Sequence, residues 1–221
     1  KKKIEEDKIE KLDLSRNDFG PLDIKFLSEF NLKNLIDLDL SSNSIKPQGV
    51  FYFTQGKFPV LKTLNLNFNE IGDEGLFHLS NAVLNELEQL FLFHNNISKA
   101  GVEALCKADF AQNLVVLSLS ENQNIMDEGV QCFEKQKNWR RLMILNLNRT
   151  GLTDQAVKYL IGSIMPNLKK IHLKGNNFTS AINHEISAWK LNGVMIDYLD
   201  DAQKRRRRKR RQPHAANPGS G

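Results

Sequence analysis

The stretch that decides the fold is residues 61–80, Leu-Lys-Thr-Leu-Asn-Leu-Asn-Phe-Asn-Glu-Ile-Gly-Asp-Glu-Gly-Leu-Phe-His-Leu-Ser. Its first half predicts a short strand, because Leu64 and Leu66 are two residues apart and would point to the same face. Asn69 follows, and its side chain can hydrogen-bond a turning backbone. The first half therefore predicts a strand that ends in a tight turn.

The second half of the stretch predicts a helix. It begins near Asp73, and Leu76, Leu79 and Val83 follow at spacings of three and four, which places them on one inward face. One strand and one helix cannot bury this apolar surface by themselves. The stretch therefore predicts further copies stacked on either side of it.

Copies of this unit run along most of the chain. The turn residue recurs every 26 to 28 residues, at Asn17, Asn43, Asn69, Asn95, Asn122, Thr150 and Asn176. We call this the ladder position and number the units as repeats one to seven. The strand residues keep step, at Leu12/Leu14, Leu38/Leu40, Leu64/Leu66, Leu90/Leu92, Leu117/Leu119, Leu145/Leu147 and Ile171/Leu173. Thr150 departs from the asparagines, and we expect its hydroxyl to satisfy the turn locally.

The motif Leu-x-x-Leu-x-Leu-x-x-Asn of residues 61–69 resembles that of the leucine-rich repeat family. The helical second half and the period resemble the ribonuclease-inhibitor-like kind. The resemblance extends from Ile9 to about Tyr198. It implies an α/β solenoid, a horseshoe of about seven repeats with a parallel sheet on the concave side and helices on the convex side. A fold of this kind implies little about function.

The repeats also set the expected domain boundaries. Residues 1–8 form an N-terminal flank, residues 9–199 the repeat domain, and residues 200–221 a polybasic tail. Trp189 and the alternating apolar residues of 194–199 predict a terminal cap with a last strand. No comparable cap precedes the first repeat, so we expect further sequence upstream or a partner at that end.

Composition favours a location inside the cell. Of 221 residues, 40% are hydrophobic, but no apolar run approaches the ~20 residues of a membrane span. Cys106 and Cys132 lie on predicted helices of neighbouring repeats, and we expect two buried free thiols in a reducing compartment. The resemblance supports this, since extracellular leucine-rich repeat proteins usually carry disulfide-bonded caps. The sequence therefore predicts a cytoplasmic protein, a nuclear protein, or one present in both compartments.

The net charge of +5 comes from one segment. Eight consecutive cations occupy residues 204–211, namely Lys204, Arg205, Arg206, Arg207, Arg208, Lys209, Arg210 and Arg211. Without these eight, 23 basic residues remain against 26 acidic ones, so the rest has a formal charge of −3. The chain is thus a mildly acidic solenoid with a basic tail, which we expect to be disordered in the free protein.

The basic tail is suited to an anionic partner. Nucleic acid, an import receptor, an anionic membrane surface or another polyanion would each satisfy its charge. Because no aromatic residue interrupts residues 204–211, we expect neither base stacking nor sequence readout. Nuclear targeting and anchoring to a ribonucleoprotein both remain open as uses of the tail.

Signals for catalysis are weak. The five histidines have no metal-ligand spacing, and neither a phosphate-binding glycine loop nor a nucleophile elbow occurs. An open sheet offers no obvious pocket that would raise the pKa of a carboxyl group. We therefore expect no enzyme, with no catalytic residue, cofactor, metal or small-molecule substrate.

One regulatory alternative comes from resemblance. The Ran GTPase-activating protein is similar in repeat type, which would imply a regulator of a small GTPase. That family carries an acidic tail and more repeats, whereas this chain carries a basic tail. None of its functional residues can be matched to positions here, so none is assigned.

The concave face is the predicted binding surface. Side chains between the buried strand leucines would face it, because strand residues alternate. Phe91 and Phe93 stand where other repeats have polar residues, so an apolar patch is expected there. The predicted partner-binding residues are Phe91, Phe93, Val116, Ile144, Asp37, Asp39, Asn65, Asn67, Asn146, Asn148, His172, Lys170 and Lys174. Acid collects at the N-terminal end of this set and base at the C-terminal end. The sequence thus predicts a non-enzymatic module that binds another protein.

Overall fold

The computed structural model describes residues 8–136 and 139–198. Within them, eight parallel strands form one sheet whose spatial order is the order in the sequence. The strands are β1 Lys11–Asp13, β2 Asp37–Asp39, β3 Thr63–Asn65, β4 Gln89–Phe91, β5 Val116–Ser118, β6 Ile144–Asn146, β7 Lys170–His172 and β8 Met195–Asp197. The predicted basic tail and residues 1–7 of the predicted flank lie outside the described residues.

A helix follows each of the first seven strands. The helices are α1 Pro21–Ser28, α2 Lys46–Phe53, α3 Gly72–Ser80, α4 Lys99–Lys107, α5 Met126–Lys135, α6 Asp154–Gly162 and α7 Asn183–Leu191. Short 3-10 helices occupy Asp109–Asn113 and Ser180–Ile182. Neighbouring helices pack side by side from α1 to α6. This alternation is the leucine-rich repeat solenoid that the sequence predicts.

The core lies between the sheet and the helices. The central residue of each strand from β2 to β7 is fully buried, as in Leu38, Leu64 and Leu90. In-register pairing stacks these residues in one row along the solenoid. Each repeat therefore buries its apolar face against its two neighbours, and stability depends on contacts between repeats.

The ladder asparagines tie neighbouring repeats together through the backbone. Fully buried Asn95 accepts hydrogen bonds at Oδ1 from the N–H groups of Asn69 at 2.9 Å and Ile71 at 3.3 Å. Its Nδ2 donates to the carbonyl oxygens of Leu66 at 2.8 Å and Phe93 at 3.2 Å. One side chain thus satisfies buried groups in two repeats, which apolar substitution would leave without partners.

The sixth ladder position confirms a local role for threonine. The Thr150 hydroxyl donates to the carbonyl oxygen of Leu147 at 2.7 Å, inside its own turn. The link to the next repeat comes from Asn176, whose Oδ1 accepts from the N–H of Thr150 at 2.9 Å. The shorter side chain therefore satisfies its own turn.

The helix of the third repeat is shorter than its apolar pattern predicts. It ends at Ser80, and Val83 is 76% exposed, so the expected inward position for Val83 is wrong. Leu84 is buried one residue later, in the segment that leads to β4. The chain has left the helix by then, so the spacing of four no longer applies.

The two cysteines correct a prediction. Cys106 of α4 and Cys132 of α5 form a disulfide with a Cα–Cα distance of 6.2 Å. Both are buried, and their spacing of 26 residues places them on facing sides of adjacent helices. The expectation of two free thiols is therefore wrong, and the prediction of an intracellular location loses the argument that rested on them.

The C-terminal end of the sheet is covered where the sequence predicts a cap. Strand β8 pairs with β7 in register, with Ile196 beside Ile171. Trp189 is half-buried against the core, and Tyr198 is buried. The Tyr198 hydroxyl hydrogen-bonds Oδ1 of Asn183 at 3.2 Å, which gives this polar residue of α7 a structural partner.

Candidate functional site on the concave face

The strand register fixes two rows of concave side chains. The first row is Lys11, Asp37, Thr63, Gln89, Val116, Ile144, Lys170 and Met195, and the second is Asp13, Asp39, Asn65, Phe91, Ser118, Asn146, His172 and Asp197. Backbone hydrogen bonds extend the register past the strands, to a third row of Ser41, Asn67, Phe93, Ser120, Asn148 and Lys174. The structure therefore places the predicted site residues together on one surface.

A fourth row forms the rim of this face, directly before the ladder positions. Its backbone is left-handed, with φ between 51° and 71°, at Arg16, Ser42, Phe68, His94, Glu121, Arg149 and Gly175. Residues other than glycine seldom adopt this region, so the tight turn imposes it at the cost of some strain. We call these residues the rim column. Within it, Arg16, Phe68, His94, Arg149 and Gly175 are exposed.

An aromatic cluster crosses the third and fourth repeats and consists of Phe68, Phe93 and His94. The ring centroids of Phe68 and Phe93 are 4.7 Å apart with a tilted geometry, and Phe68 lies 5.2 Å from the His94 ring. Phe93 is half-buried, whereas Phe68 remains 47% exposed. The cluster therefore offers a ring surface that is preformed and partly open to solvent.

Beside this cluster lies a polar depression of about 420 Å³. Its lining consists of Asn67, Phe93, Ser118, Ser120, Glu121, Asn146, Asn148, Arg149 and Lys174. Ser118 and Ser120 are buried with their hydroxyl oxygens 3.3 Å apart. These small side chains leave a low region between the larger side chains of the neighbouring repeats.

Backbone N–H groups hold the asparagines that line the depression, by hydrogen bonds to their side-chain oxygens. Oδ1 of Asn67 accepts from the N–H of Phe93 at 2.7 Å, and Oδ1 of Asn148 accepts from the N–H of Lys174 at 2.6 Å. Oδ1 of Asn146 accepts from the N–H of Asn148 at 3.1 Å. Because each oxygen is engaged by the backbone, the NH₂ groups are the ends that turn towards the depression. Its chemistry therefore favours a ligand rich in hydrogen-bond acceptors.

Charge on this face differs from the simple gradient that the sequence predicts. Lys174 Nζ lies 2.7 Å from Asp197 Oδ2, so the cap strand brings an acid to the predicted basic end. Burial, followed by the positive charge of Lys170, lowers the pKa of His172 below its ordinary value. His172 is therefore neutral at physiological pH. The C-terminal end is less positive than Lys170 and Lys174 alone suggest.

The acidic end is partly engaged within the protein. Asp39 Oδ2 accepts from Asn65 Nδ2 at 2.8 Å, and its Oδ1 accepts from the N–H of Ser41 at 2.8 Å. Asp37 lies one row away, directly beside Thr63 in the register. These carboxylates can steer a charged partner, but Asp39 is already hydrogen-bonded.

The predicted apolar patch separates into two parts. Val116 and Ile144 are direct neighbours across β5 and β6, and Phe91 lies beside Ser118. Phe93 instead packs towards Phe68, in the direction of the N-terminal repeats. Sequence reasoning missed Phe68 and His94 because strand alternation does not describe a left-handed turn residue. Their fixed place before the ladder position was the signal that could have found them.

The described residues offer no obvious metal site or membrane span. Across residues 8–136 and 139–198, no group of three or more histidine, cysteine, aspartate or glutamate side chains is arranged to hold a metal ion. In the same ranges, no helix is both long and apolar enough to cross a bilayer. What the concave face does offer is an extended surface with aromatic, amide and charged groups.

Comparison with known proteins agrees with the repeat architecture. The family model described as Leucine Rich repeat matches residues 31–53, 59–80, 84–106 and 110–133. These four segments contain β2 to β5 and all or most of the helix that follows each strand. The matched segments are leucine-rich repeats, and the chain has the leucine-rich repeat fold. The ribonuclease-inhibitor-like kind remains a prediction from the helical halves of the repeats.

Solved structures include matches to this leucine-rich repeat chain. One is an internalin, InlF, from Listeria monocytogenes, with 21% sequence identity and a TM-score of 0.48. The match covers 77% of this chain and 48% of the internalin chain, so this chain spans about half the length of that protein. No curated protein sequence matches the chain.

Proposed function

We propose that this leucine-rich repeat protein binds another protein on its concave face and catalyses no reaction there. The observation that carries the proposal is the aromatic cluster of Phe68, Phe93 and His94 beside the polar depression. An aromatic surface next to convergent polar groups is typical of the centre of a protein interface. The open sheet provides enough surface for an extended segment or a folded domain.

The aromatic cluster would supply much of the affinity. Complete burial of an exposed phenylalanine is worth about 1.5–3 kcal/mol. Phe68 starts 47% exposed, so it would gain roughly half of this amount when a partner covers it. Phe93 is more buried at the start and would gain less. The two rings already contact each other, so little conformational freedom is lost on binding.

The depression would supply specificity. Its amide groups and the side chains of Arg149 and Lys174 favour a carboxylate or a run of carbonyl oxygens from the partner. Arg149 is paired with Glu121 at 2.5 Å and Lys174 with Asp197 at 2.7 Å, so their positions are restrained before binding. We therefore expect an acidic or main-chain-rich segment to lie in the depression, with an apolar side chain on the aromatic cluster.

Paired substitutions test the site. The variant with Phe68→Ser and Phe93→Ser should lose capture of protein partners, and Phe91→Ser with Phe93→Ser tests the surface predicted from sequence. Phe77→Ser is the matched control, because Phe77 is 59% exposed on the convex helix α3. Capture by tagged protein, quantified by mass spectrometry, should fall at least tenfold for the first variant and not for the control. Equal capture by all variants would place the site elsewhere.

A second proposal concerns the basic run at residues 204–211, which we propose binds a polyanion such as nucleic acid. Eight adjacent cations support this proposal. Binding should weaken as salt rises, and on duplex DNA a plot of log K against log salt should have a slope of about −0.9 for each phosphate neutralised. The test is titration with mixed-sequence RNA before and after deletion of residues 204–212. Equal RNA binding by the intact and the truncated protein would reject the proposal.

The regulator alternative has its own test. If adding this protein to a small GTPase speeds GTP hydrolysis, that result would favour a regulator of a small GTPase.

A further inference from the structure

Among the described residues, the N-terminal end of the solenoid leaves its apolar core exposed. A cavity of about 300 Å³ lies there, and its lining is almost wholly apolar: Ile9, Leu12, Leu14, Phe19, Asp23, Phe26, Leu27, Phe30 and Leu32. Phe26 of α1 is 63% exposed at this end and meets the Phe30 ring edge to face at 5.0 Å. The opposite end, by contrast, is covered by β8. The open end therefore has the character of an interface.

The edge strand at this end can accept another strand. Among the described residues, β1 pairs only with β2. The N–H of Leu14 donates to Asp39 at 2.8 Å, and the carbonyl oxygen of Glu10 accepts from Asp37 at 3.0 Å. Even-numbered residues of β1 thus direct their backbone groups towards β2. By alternation, Lys11 and Asp13 direct their N–H and C=O groups away from the sheet.

The charges on this edge are symmetric about its central residue. Lys11 and Asp13 flank Leu12, which turns towards the core. The N–H of Ser15 donates to Asp13 Oδ1 at 2.9 Å, and this bond lowers the pKa of the Asp13 carboxyl. Asp13 is therefore charged at neutral pH. One strand edge thus carries one cation and one anion at equal distances from Leu12.

We propose that a second copy of this chain covers the open end, through antiparallel pairing of the two β1 strands about a two-fold axis at Leu12. This register places Lys11 of each copy opposite Asp13 of the other, and these are the residues whose backbone groups are available. A parallel pairing would instead oppose lysine to lysine and aspartate to aspartate. The charges therefore select one arrangement.

The same arrangement brings the apolar surfaces together. A two-fold axis perpendicular to the sheet keeps both sets of helices on one side, so the two cavities face each other across the axis. It also joins the two eight-stranded sheets into one, with both concave faces on the same side. This inference rests on the end of the solenoid and is independent of the binding proposed for the concave face.

Charge reversal tests the pairing in the full chain. Analytical ultracentrifugation of the wild type should show a concentration-dependent dimer with twice the monomer mass of 25.3 kDa. Lys11→Asp alone and Asp13→Lys alone should each raise the dissociation constant about tenfold or more, because like charges then oppose each other at both symmetric pairs. The double variant Lys11→Asp with Asp13→Lys should restore dimerisation, and a mixture of the two single variants should form a heterodimer.

An apolar variant with a matched control completes the test. Phe26→Glu should weaken the dimer, whereas Phe77→Glu, at a site that is 59% exposed on α3, should leave it unchanged. Thermal unfolding of every variant establishes that the fold is intact. A monomer at all concentrations, or failure of both the double variant and the mixture to dimerise, would overturn the proposal.

Discussion

The fourth and sixth repeats of the solenoid follow one plan but carry different side chains at the ladder position and near the start of the helix. The ladder position holds Asn95 in the fourth repeat and Thr150 in the sixth. The position one turn into the helix holds Gly101 in the fourth and Ala156 in the sixth. Both repeats have a parallel strand and a nine-residue helix, so the fold tolerates either choice.

The ladder difference shows which hydrogen bonds join repeats and which stay within one. Asn95 accepts from two N–H groups of the preceding repeat, whereas the Thr150 hydroxyl donates within its own turn. The sixth repeat is still joined to the seventh, because Asn176 accepts from the N–H groups of Thr150 and Leu152. One weaker position is therefore tolerated when its neighbour remains complete.

The largest expected effect comes from removing a complete ladder position. Asn95→Ala leaves the buried N–H groups of Asn69 and Ile71 without their acceptor, at a cost of about 4 kcal/mol. Thr150→Ala should cost about 1 kcal/mol, because the carbonyl oxygen of Leu147 still accepts from Asn176 Nδ2 at 2.8 Å. Urea unfolding followed by circular dichroism measures both. Equal losses would show that the fourth position is no more important than the sixth.

The disulfide is a third difference between the fourth and the sixth repeats. Cys106 ties α4 to α5 and closes a loop of 26 residues, so its loss should cost about 3 kcal/mol. The variant with Cys106→Ala and Cys132→Ala, and the wild type with reductant, should show this loss in urea unfolding. Hydrogen exchange should rise in α4 and α5 more than in α6. A wild type that is insensitive to reductant would indicate free thiols in solution.

Much of the fold could be predicted because the repeat is redundant. The two apolar strand positions of Leu64 and Leu66 recur in every unit, so one error of assignment would be corrected by six other copies. The strand register follows from the same repetition, and the structure pairs Leu38 with Leu64 and Leu64 with Leu90 as expected. Regular repetition thus predicts what is common to all repeats.

Features particular to one repeat were not predictable in the same way. The backbone of Phe68 is itself left-handed, and this places the Phe68 ring at the rim, where it packs on Phe93. The alternation of side chains along a strand does not predict this position. The bond between Cys106 and Cys132 depends on the distance between two helices, not on a motif. Val83 was misplaced because its helix ends at Ser80. Local geometry decides each of these cases.

The smallest expected effects come from exchanging glycine and alanine between the two helices. A Cβ at Gly101 would lie 2.6 Å from Asp73 Oδ1 and 3.3 Å from the Asp73 Cα. That carboxylate accepts from the N–H groups of Ser98 at 2.7 Å and Gly101 at 3.0 Å, so Gly101→Ala would disturb the contact between α3 and α4. Gly101→Ala should lower the free energy of unfolding by about 1–2 kcal/mol, after allowing for the higher helix propensity of alanine.

The reverse exchange should destabilise for a different reason. Ala156 is already accommodated in α6, so Ala156→Gly should cost about 1 kcal/mol through the entropy of the helix backbone alone. A double-mutant cycle separates the two causes. In an Asp73→Ala background the obstructing carboxylate is gone, although Ile97 Cγ2 at 3.0 Å and the Asp73 Cα at 3.3 Å remain close. Gly101→Ala should therefore cost less there, whereas Ala156→Gly should cost the same in both backgrounds. If Gly101→Ala keeps its full cost without the Asp73 carboxylate, the remaining contacts with Ile97 Cγ2 and the Asp73 Cα, rather than the carboxylate, require glycine there.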